Sequence, residues 1–284
     1  MKKVAIVDLF SEYYFFCYIL FKIVANILRI PLYLVMRPQY FLGRFSVQIK
    51  QSVDLIINLE KEYQRKIKAI DFVDLQNLLG GEDPNLFLKF GNKYGNVNFI
   101  EALSIAYIAK VTHPKKVFEI GTFDGFSTYH LSMNSDPDTK IYTLNLPLEV
   151  DNTKQHHKKI SLLDYHDDNH THSGLKKIGV LYENSPAANR VSQLLGDSLV
   201  FDFSPFRGSM DLVFIDGGHS LECVSSDTKN AFNMLSNKGL IIWHDFNVQH
   251  RDIYNFLMKL SKDRKIFWLA GTRLAIYSKY LKES

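Results

Sequence analysis

The chain has little cysteine. Cys17 and Cys223 are the only two among 284 residues. They lie far apart in unlike contexts, which excludes a disulfide framework, and with no C-x-x-C pair nothing points to a cysteine-bound zinc. A reducing, cytosolic setting is the simplest reading. An excess of one charge is also missing. The net charge is +4, and the lysines are scattered and often sit beside acids, so no nucleic-acid partner is expected. The longest unbroken apolar run covers residues 13–21, too short to cross a bilayer, which takes about 20 residues. There is no G-x-S-x-G, which argues against an α/β-hydrolase. Neither the G-x-G-x-x-G of dinucleotide enzymes nor the G-K-S/T of phosphate loops occurs. No internal repeat is visible.

The N-terminus is nonetheless apolar and aromatic over residues 13–36, interrupted by Lys22, Arg29 and Pro31. Asp8 and Glu12 occupy what would be the positive region of a signal peptide, and no small-residue cleavage site follows. Three placements suit the segment: a helix packed on the domain or across a dimer, a helix lying on a membrane surface, or a transmembrane span. Lys2, Lys3, Lys22, Arg29 and Arg37 beside the aromatics suit the membrane surface. Peripheral membrane contact through residues 1–37, a place at the inner face of a membrane and a homo-oligomer are the corresponding expectations.

The rest of the chain is that of a folded protein, with 46% hydrophobic and 13% aromatic residues. Helical spacing runs through 47–59 and 60–79, and Gly80-Gly81 with Pro84 breaks it. The expected organisation is a helical extension over 1–80 and one large domain over 81–284. Residues 99–110 read as an amphipathic helix. From 117 onward strand and helix patterns alternate, which predicts a parallel sheet covered on both faces. The candidate strands are 117–120, 141–144, 191–195, 212–216, 240–243, 266–269 and 274–277. The last two are separated by Gly271-Thr272-Arg273 and read as a hairpin. The fold class is therefore α/β, a doubly wound, mostly parallel seven-stranded sheet with a C-terminal antiparallel hairpin. Residues 146–190 are long for one crossover. They hold His156, His157, His166, His170 and His172, with Asp164, Asp167 and Asp168. Their spacing matches no defined metal site, and a solvated insert over the mouth of the site is the expected role. Phe201–Phe206 (FDFSPF) is expected to be a packed loop.

The most informative stretch is VFEIGTFDGFST at 117–128. An apolar run ends in Glu119, glycines follow at 121 and 125, and a helix-like segment begins. Glycine permits a sharp turn and close approach of a ligand. The E-x-G-x-x-x-G spacing suits a nucleoside cofactor with a carboxylate and an amine but no phosphates. Ligands of doubly wound sheets bind at the carboxyl ends of strands. All five leading strands carry polar groups there: Glu119, Asn145, Asp197 with Ser198, Asp216, and His244 with Asp245.

With these pieces in order (VFEIGTFDGFST, IYTLNLP, VSQLLGDSLVFDFSPF, DLVFIDGGHS, GLIIWHDF and AGTRLAIY) the chain resembles class I S-adenosylmethionine-dependent methyltransferases over about residues 85–280. It is closest to the small-molecule O-methyltransferases of methyltransferase domain family 24. The resemblance implies that Glu119, Gly121 and Gly125, with the backbone of Thr122 and Phe123, hold the methionine part of the cofactor. It implies that Asn145 meets the ribose, Asp197 and Ser198 the adenine, and that Asp216 faces the reaction centre. Relatives usually carry an acid where Asn145 stands, and an altered hydrogen bond there weakens binding by about 1 kcal/mol.

The expected reaction is O-methylation of a small molecule or of a sugar or glycan hydroxyl. Two routes to removing the acceptor proton are open. Asp216, His244 and Asp245 could hold Mg²⁺ or another divalent ion that acidifies the hydroxyl. Alternatively His219 or His244 serves as general base, with Asp216 beside it. The alternative to an enzyme is a non-catalytic scaffold of the same fold, or a membrane-associated interaction protein.

Overall fold

The computed structural model describes residues 67–80, 85–90, 95–148 and 175–278. The apolar segment 13–36 and the histidines of the 146–190 insert lie outside the described residues. In chain order the regular elements are β1 (Lys68–Ile70), α1 (Phe72–Leu79), α2 (Phe99–Thr112), β2 (Lys116–Ile120), α3 (Phe126–Asn134), β3 (Lys140–Asn145), α4 (Val180–Glu183) and β4 (Val191–Leu195). There follow β5 (Met210–Ile215), α5 (Leu221–Met234), β6 (Leu235–Trp243), α6 (Arg251–Leu260), β7 (Ile266–Leu269) and β8 (Ala275–Ser278). Among the described residues no helix is long and apolar enough to cross a membrane.

The strands form one sheet in the order β1-β7-β8-β6-β5-β2-β3-β4. All pairings are parallel except those of β8, which runs antiparallel to both β6 and β7. The expected parallel sheet with its C-terminal hairpin is present. Side chains alternate along the strands between two cores. Leu212, Phe214, Leu240 and Ile242 join α1, α2 and α3 on one face. Val213, Ile215, Ile241 and Trp243 join α5 and α6 on the other. Burial on both faces is why these strands read as unbroken apolar runs. Phe201, Phe203 and Phe206 pack as rings around Phe118 and Tyr142, a packed loop as expected.

Two expectations change. The sheet has eight strands, and the extra one lies ahead of the glycine break. Lys68–Ile70 pairs with β7, and α1 follows on an Asp71–Asp74 capping box. Residues 67–79 therefore belong to the domain of the sheet, β1 as an edge strand and α1 packed on its core, not to a separate helical extension ending at residue 80. Three residues are too few to show a period of two, and their partner strand lies far along the chain. The helix expected over 99–110 is present as α2 but has no broad wet face. Ala102, Ser104 and every residue from Ile105 to Ala109 are buried, with Tyr107 set edge-on against Phe72 of α1 at 5.0 Å.

The chain moves outward from β2 through β3 to β4, then returns to place β5 and β6 on the other side. The order reverses between β2 and β5, and the crevice of such a sheet opens there, at the carboxyl ends. The backbone joins these ends directly: Asp216 N–H donates to Ile120 O at 2.8 Å, and His244 N–H to Ile215 O at 3.0 Å.

Ile70 and Leu75 are almost wholly buried, so Ile70→Ala and Leu75→Ala should each cost about 2–5 kcal/mol. Urea unfolding checks this, and an unchanged midpoint would mean that residues 67–79 stand apart from the domain.

Candidate active site

The turn after β2 is built around two left-handed glycines, Gly121 at φ 101° and Gly125 at φ 86°. A Cβ on Gly121 would stand 1.9 Å from the Asp216 carbonyl oxygen, and one on Gly125 would meet the Tyr182 ring at 2.7 Å. Glycine is thus demanded by the sharp turn, as expected, and by the protein's own close packing. The neighbouring α4 docks on the same turn, with Gly179 N–H donating to Phe123 O and Leu181 N–H to Asp124 O.

Two residues expected to contact a cofactor instead brace this turn. Glu119 is fully buried. Its carboxylate accepts from Ser127 Oγ at 2.5 Å, Thr128 Oγ1 at 2.5 Å and Thr143 Oγ1 at 2.6 Å. A chain of hydroxyls and amides continues outward: Thr122 Oγ1 lies 2.7 Å from Thr143 Oγ1, Gln193 Nε2 donates to Thr122, and Tyr182 OH donates to Gln193 Oε1. Burial pushes the Glu119 carboxyl up to about 7, against the pull of its three hydroxyl donors. Asn145 Oδ1 accepts from the backbone N–H groups of Thr122 at 3.1 Å and Phe123 at 2.9 Å, and its Nδ2 donates to Leu146 O. The acceptor that was expected to meet a ribose hydroxyl is already engaged by the turn.

The other strand ends meet in a charged cluster. Glu101, at the third position of α2, is buried. It accepts from Asn98 N–H at 2.7 Å, from the backbone N–H of Arg273 at 2.8 Å, from Arg273 Nε at 3.1 Å and Nη2 at 3.0 Å, and from His244 Nε2 at 3.1 Å. Burial alone would raise its carboxyl, but His244 and Arg273 hold it down at about 2. On its other side His244 Nδ1 lies 2.7 Å from Asp216 Oδ1 and 3.2 Å from Asp245 Oδ2. Burial opposes charge on this imidazole, yet Asp216, Asp245 and Glu101 together raise its pKa well above the usual value. Asp245 has a left-handed backbone, φ 56°. Its Oδ1 accepts from Arg273 Nη1 at 2.8 Å and its Oδ2 lies 2.9 Å from His219 Nε2.

This geometry sorts the expected residues. Both ring nitrogens of His244 are engaged, Nε2 by Glu101 and Nδ1 by Asp216 and Asp245, and these three carboxylates favour its charged form, which counts against a general base. Asp216, His244 and Asp245 bring one ligand atom each within 4.8 Å of one another, as a metal site does, although Mg²⁺ prefers oxygen to imidazole nitrogen. Asp216 and His219 keep 17% and 15% of their side chains exposed and face the crevice. Asp197 stands at the end of β4, where Oδ1 accepts from Leu199 N–H and shapes the loop. Ser198 stands beside the buried Asp227, whose carboxyl burial pushes up to about 7. Glu101, Arg273 and His250 were missed by sequence reasoning. A lone acid in the apolar helix 99–110 was the one available signal for Glu101.

Between the ordinary carboxylate range and about 7 the native state holds a proton on Glu119 that the unfolded chain has lost, so this residue makes stability fall as pH rises through that window. Glu119→Gln should flatten the fall, read from urea unfolding at about pH 5 and about pH 8. An identical pH dependence in both proteins would mean that Glu119 does not titrate there.

Residues 118–246 match the model of a family described as a methyltransferase domain. No curated protein matches the chain. Among solved structures the chain is similar to the O-methyltransferase TomG from Streptomyces achromogenes in complex with SAM, at 12% identity over 64% of this chain and 81% of that one, TM-score 0.45. It is also similar to the O-methyltransferase from Bacillus cereus in complex with SAH, at 13% identity over 66% and 84%, TM-score 0.45. A third is the cofactor-bound Rv0187 from MTB, at 16% identity over 66% and 83%, TM-score 0.45. Residues 118–246 are thus similar to a methyltransferase domain, and the match spans β2 to the end of β6 with the polar strand ends described above.

Proposed function

We propose that the protein transfers a methyl group from S-adenosylmethionine to a hydroxyl oxygen of a small molecule, sugar or glycan. The observation that carries this reading is the meeting of the glycine turn with Asp216 and the His219–Asp245 pair at the reversal point of the sheet. The donor set fits the cofactor. Asp216 after β5 and Asp197 after β4 are partly exposed carboxylates on either side of the β2–β3 pair, which suits a cationic sulfonium carrying an adenosine. Asp197 and Ser198 would hold the adenine, and Gly121 and Phe123 would line the methionine part.

When bound, the cofactor supplies an electrophilic methyl group that an oxygen nucleophile takes in line. The protein's share is alignment and proton removal. Asp245 holds the His219 ring through Nε2 and fixes its orientation, and Nδ1, buried from solvent in the free protein, takes the acceptor hydroxyl's proton as the O–C bond forms and the S–C bond breaks. Arg273 and His244 hold Asp245 in place, and His244 Nδ1 does the same for Asp216. His244 is therefore a positioning residue.

One observation favours the scaffold reading: Asn145 spends its acceptor on the turn and leaves no carboxylate for a ribose. Calorimetric titration with S-adenosylmethionine and S-adenosylhomocysteine separates the two. Micromolar binding that Asp197→Ala abolishes is the expected outcome, whereas a folded sample that binds neither ligand is the scaffold's. His219→Gln should leave cofactor binding intact and slow methyl transfer by about 10²–10⁴-fold. This is read as labelled methyl incorporated into an acceptor mixture, and an undiminished rate would remove His219 from the mechanism.

A further inference from the structure

His250 plays no part in the reaction proposed above, yet it lies buried against its centre. It stands immediately ahead of α6, 7% exposed. Its ring sits on that of His219, centroids 4.4 Å apart and planes at 37°. Its Nε2 lies 3.4 Å from Asp245 Oδ1, while His219 Nε2 lies 2.9 Å from Asp245 Oδ2. Three separate segments thus converge on one carboxylate: the loop after β5, the loop after β6 and the head of α6.

We propose that His219, Asp245 and His250 form a binding site for a borderline-soft divalent metal ion, Zn²⁺ or Co²⁺. The ligand atoms of the three residues all lie within 4.8 Å of one another. Zinc–nitrogen and zinc–oxygen bonds of about 2.1 Å place neighbouring ligands about 3.0 Å apart in an octahedron and about 3.4 Å apart in a tetrahedron. The separations of His219 Nε2 from Asp245 Oδ2 and of His250 Nε2 from Asp245 Oδ1, 2.9 and 3.4 Å, fall in this range, so small shifts would bring both rings and one carboxylate oxygen around an ion. The ion would take the place of the two imidazole–carboxylate contacts, each ring then carrying its proton on Nδ1.

The donor set also decides which ion. Two imidazoles and one carboxylate favour zinc, cobalt or nickel over magnesium. Arg273 gives Asp245 only Nη1, and its Nε, Nη2 and backbone N–H go to Glu101. Asp245 therefore remains an anionic ligand. The left-handed backbone of Asp245 sets its carboxylate between the two rings, a strained conformation of the kind that gathers at functional sites. Three protein ligands leave a coordination position open.

One consequence rests on the proposed reaction. An ion on His219 Nε2 and Asp245 breaks the pair that orients the general base, so zinc would stop methyl transfer and magnesium would not.

To remove competing imidazoles, the test starts from a full-length protein with His156, His157, His166, His170 and His172 changed to Gln. Equilibrium dialysis against Zn²⁺ alone, and the visible absorption of Co²⁺, should show one ion per chain. His250→Gln, which keeps a polar side chain of moderate size, should weaken that binding at least about tenfold while thermal melting and S-adenosylmethionine binding stay as in the parent. No ion retained by the folded parent overturns the site, and so does retention equal in the parent and in His250→Gln. Loss of cofactor binding in the parent is a separate readout and would count against the proposed reaction alone.

Discussion

Glu101 cannot be buried as a carboxylate unless its partners are already in place. An isolated charge taken out of water costs several kcal/mol even after the surroundings relax. Here five donors from three places share that cost: the start of α2, the end of β6 and the turn between β7 and β8. The consequence is geometric. If α2 shifts, Glu101 leaves Arg273 and His244 uncompensated, and these two in turn hold Asp245 and Asp216. The arrangement at the crevice is therefore tied to the position of a helix that contributes nothing to the sheet. Such a network adds little net stability compared with a well-packed apolar core, but breaking it from one side is expensive.

The glycine turn follows the same logic with neutral groups. Asn145 takes the N–H groups of Thr122 and Phe123, Leu144 O takes that of Gly121, and Thr122 O takes that of Gly125. Beneath them Glu119 is closed over by three hydroxyls. A turn that satisfies its own amides stays rigid without a ligand, which is what alignment of two reactants requires. What the crevice receives is less than the strand ends promise: Asp197, Asp216 and His219 reach it, while Glu119, Asn145 and His244 are spent on holding it in shape.

Much of this was legible beforehand. The seven longer strands were visible as strand patterns bounded by turn residues, and the central ones, buried on both faces, read as apolar runs. Polar residues at the ends of those runs could be placed at the crevice, because the carboxyl end of a parallel strand follows from the direction of the chain. The three-residue β1 carried too little pattern and was hidden in a segment of helical spacing. That Glu119 and Asn145 also brace the glycine turn was not legible, because a residue type at a strand end does not reveal whether its hydrogen bonds turn inward or outward.

The sequence by itself determined the α/β class, the central glycine turn and which polar groups stand at the strand ends, because each of these is a matter of local spacing. Only the tertiary structure decided which of them touch. Glu101 and Arg273 are 172 positions apart, and His244 meets Glu101 across 143. No local spacing links such residues. They are joined because the sheet places β6 beside β8 while α2 packs across the same end, and a buried charge accepts only partners that arrive there.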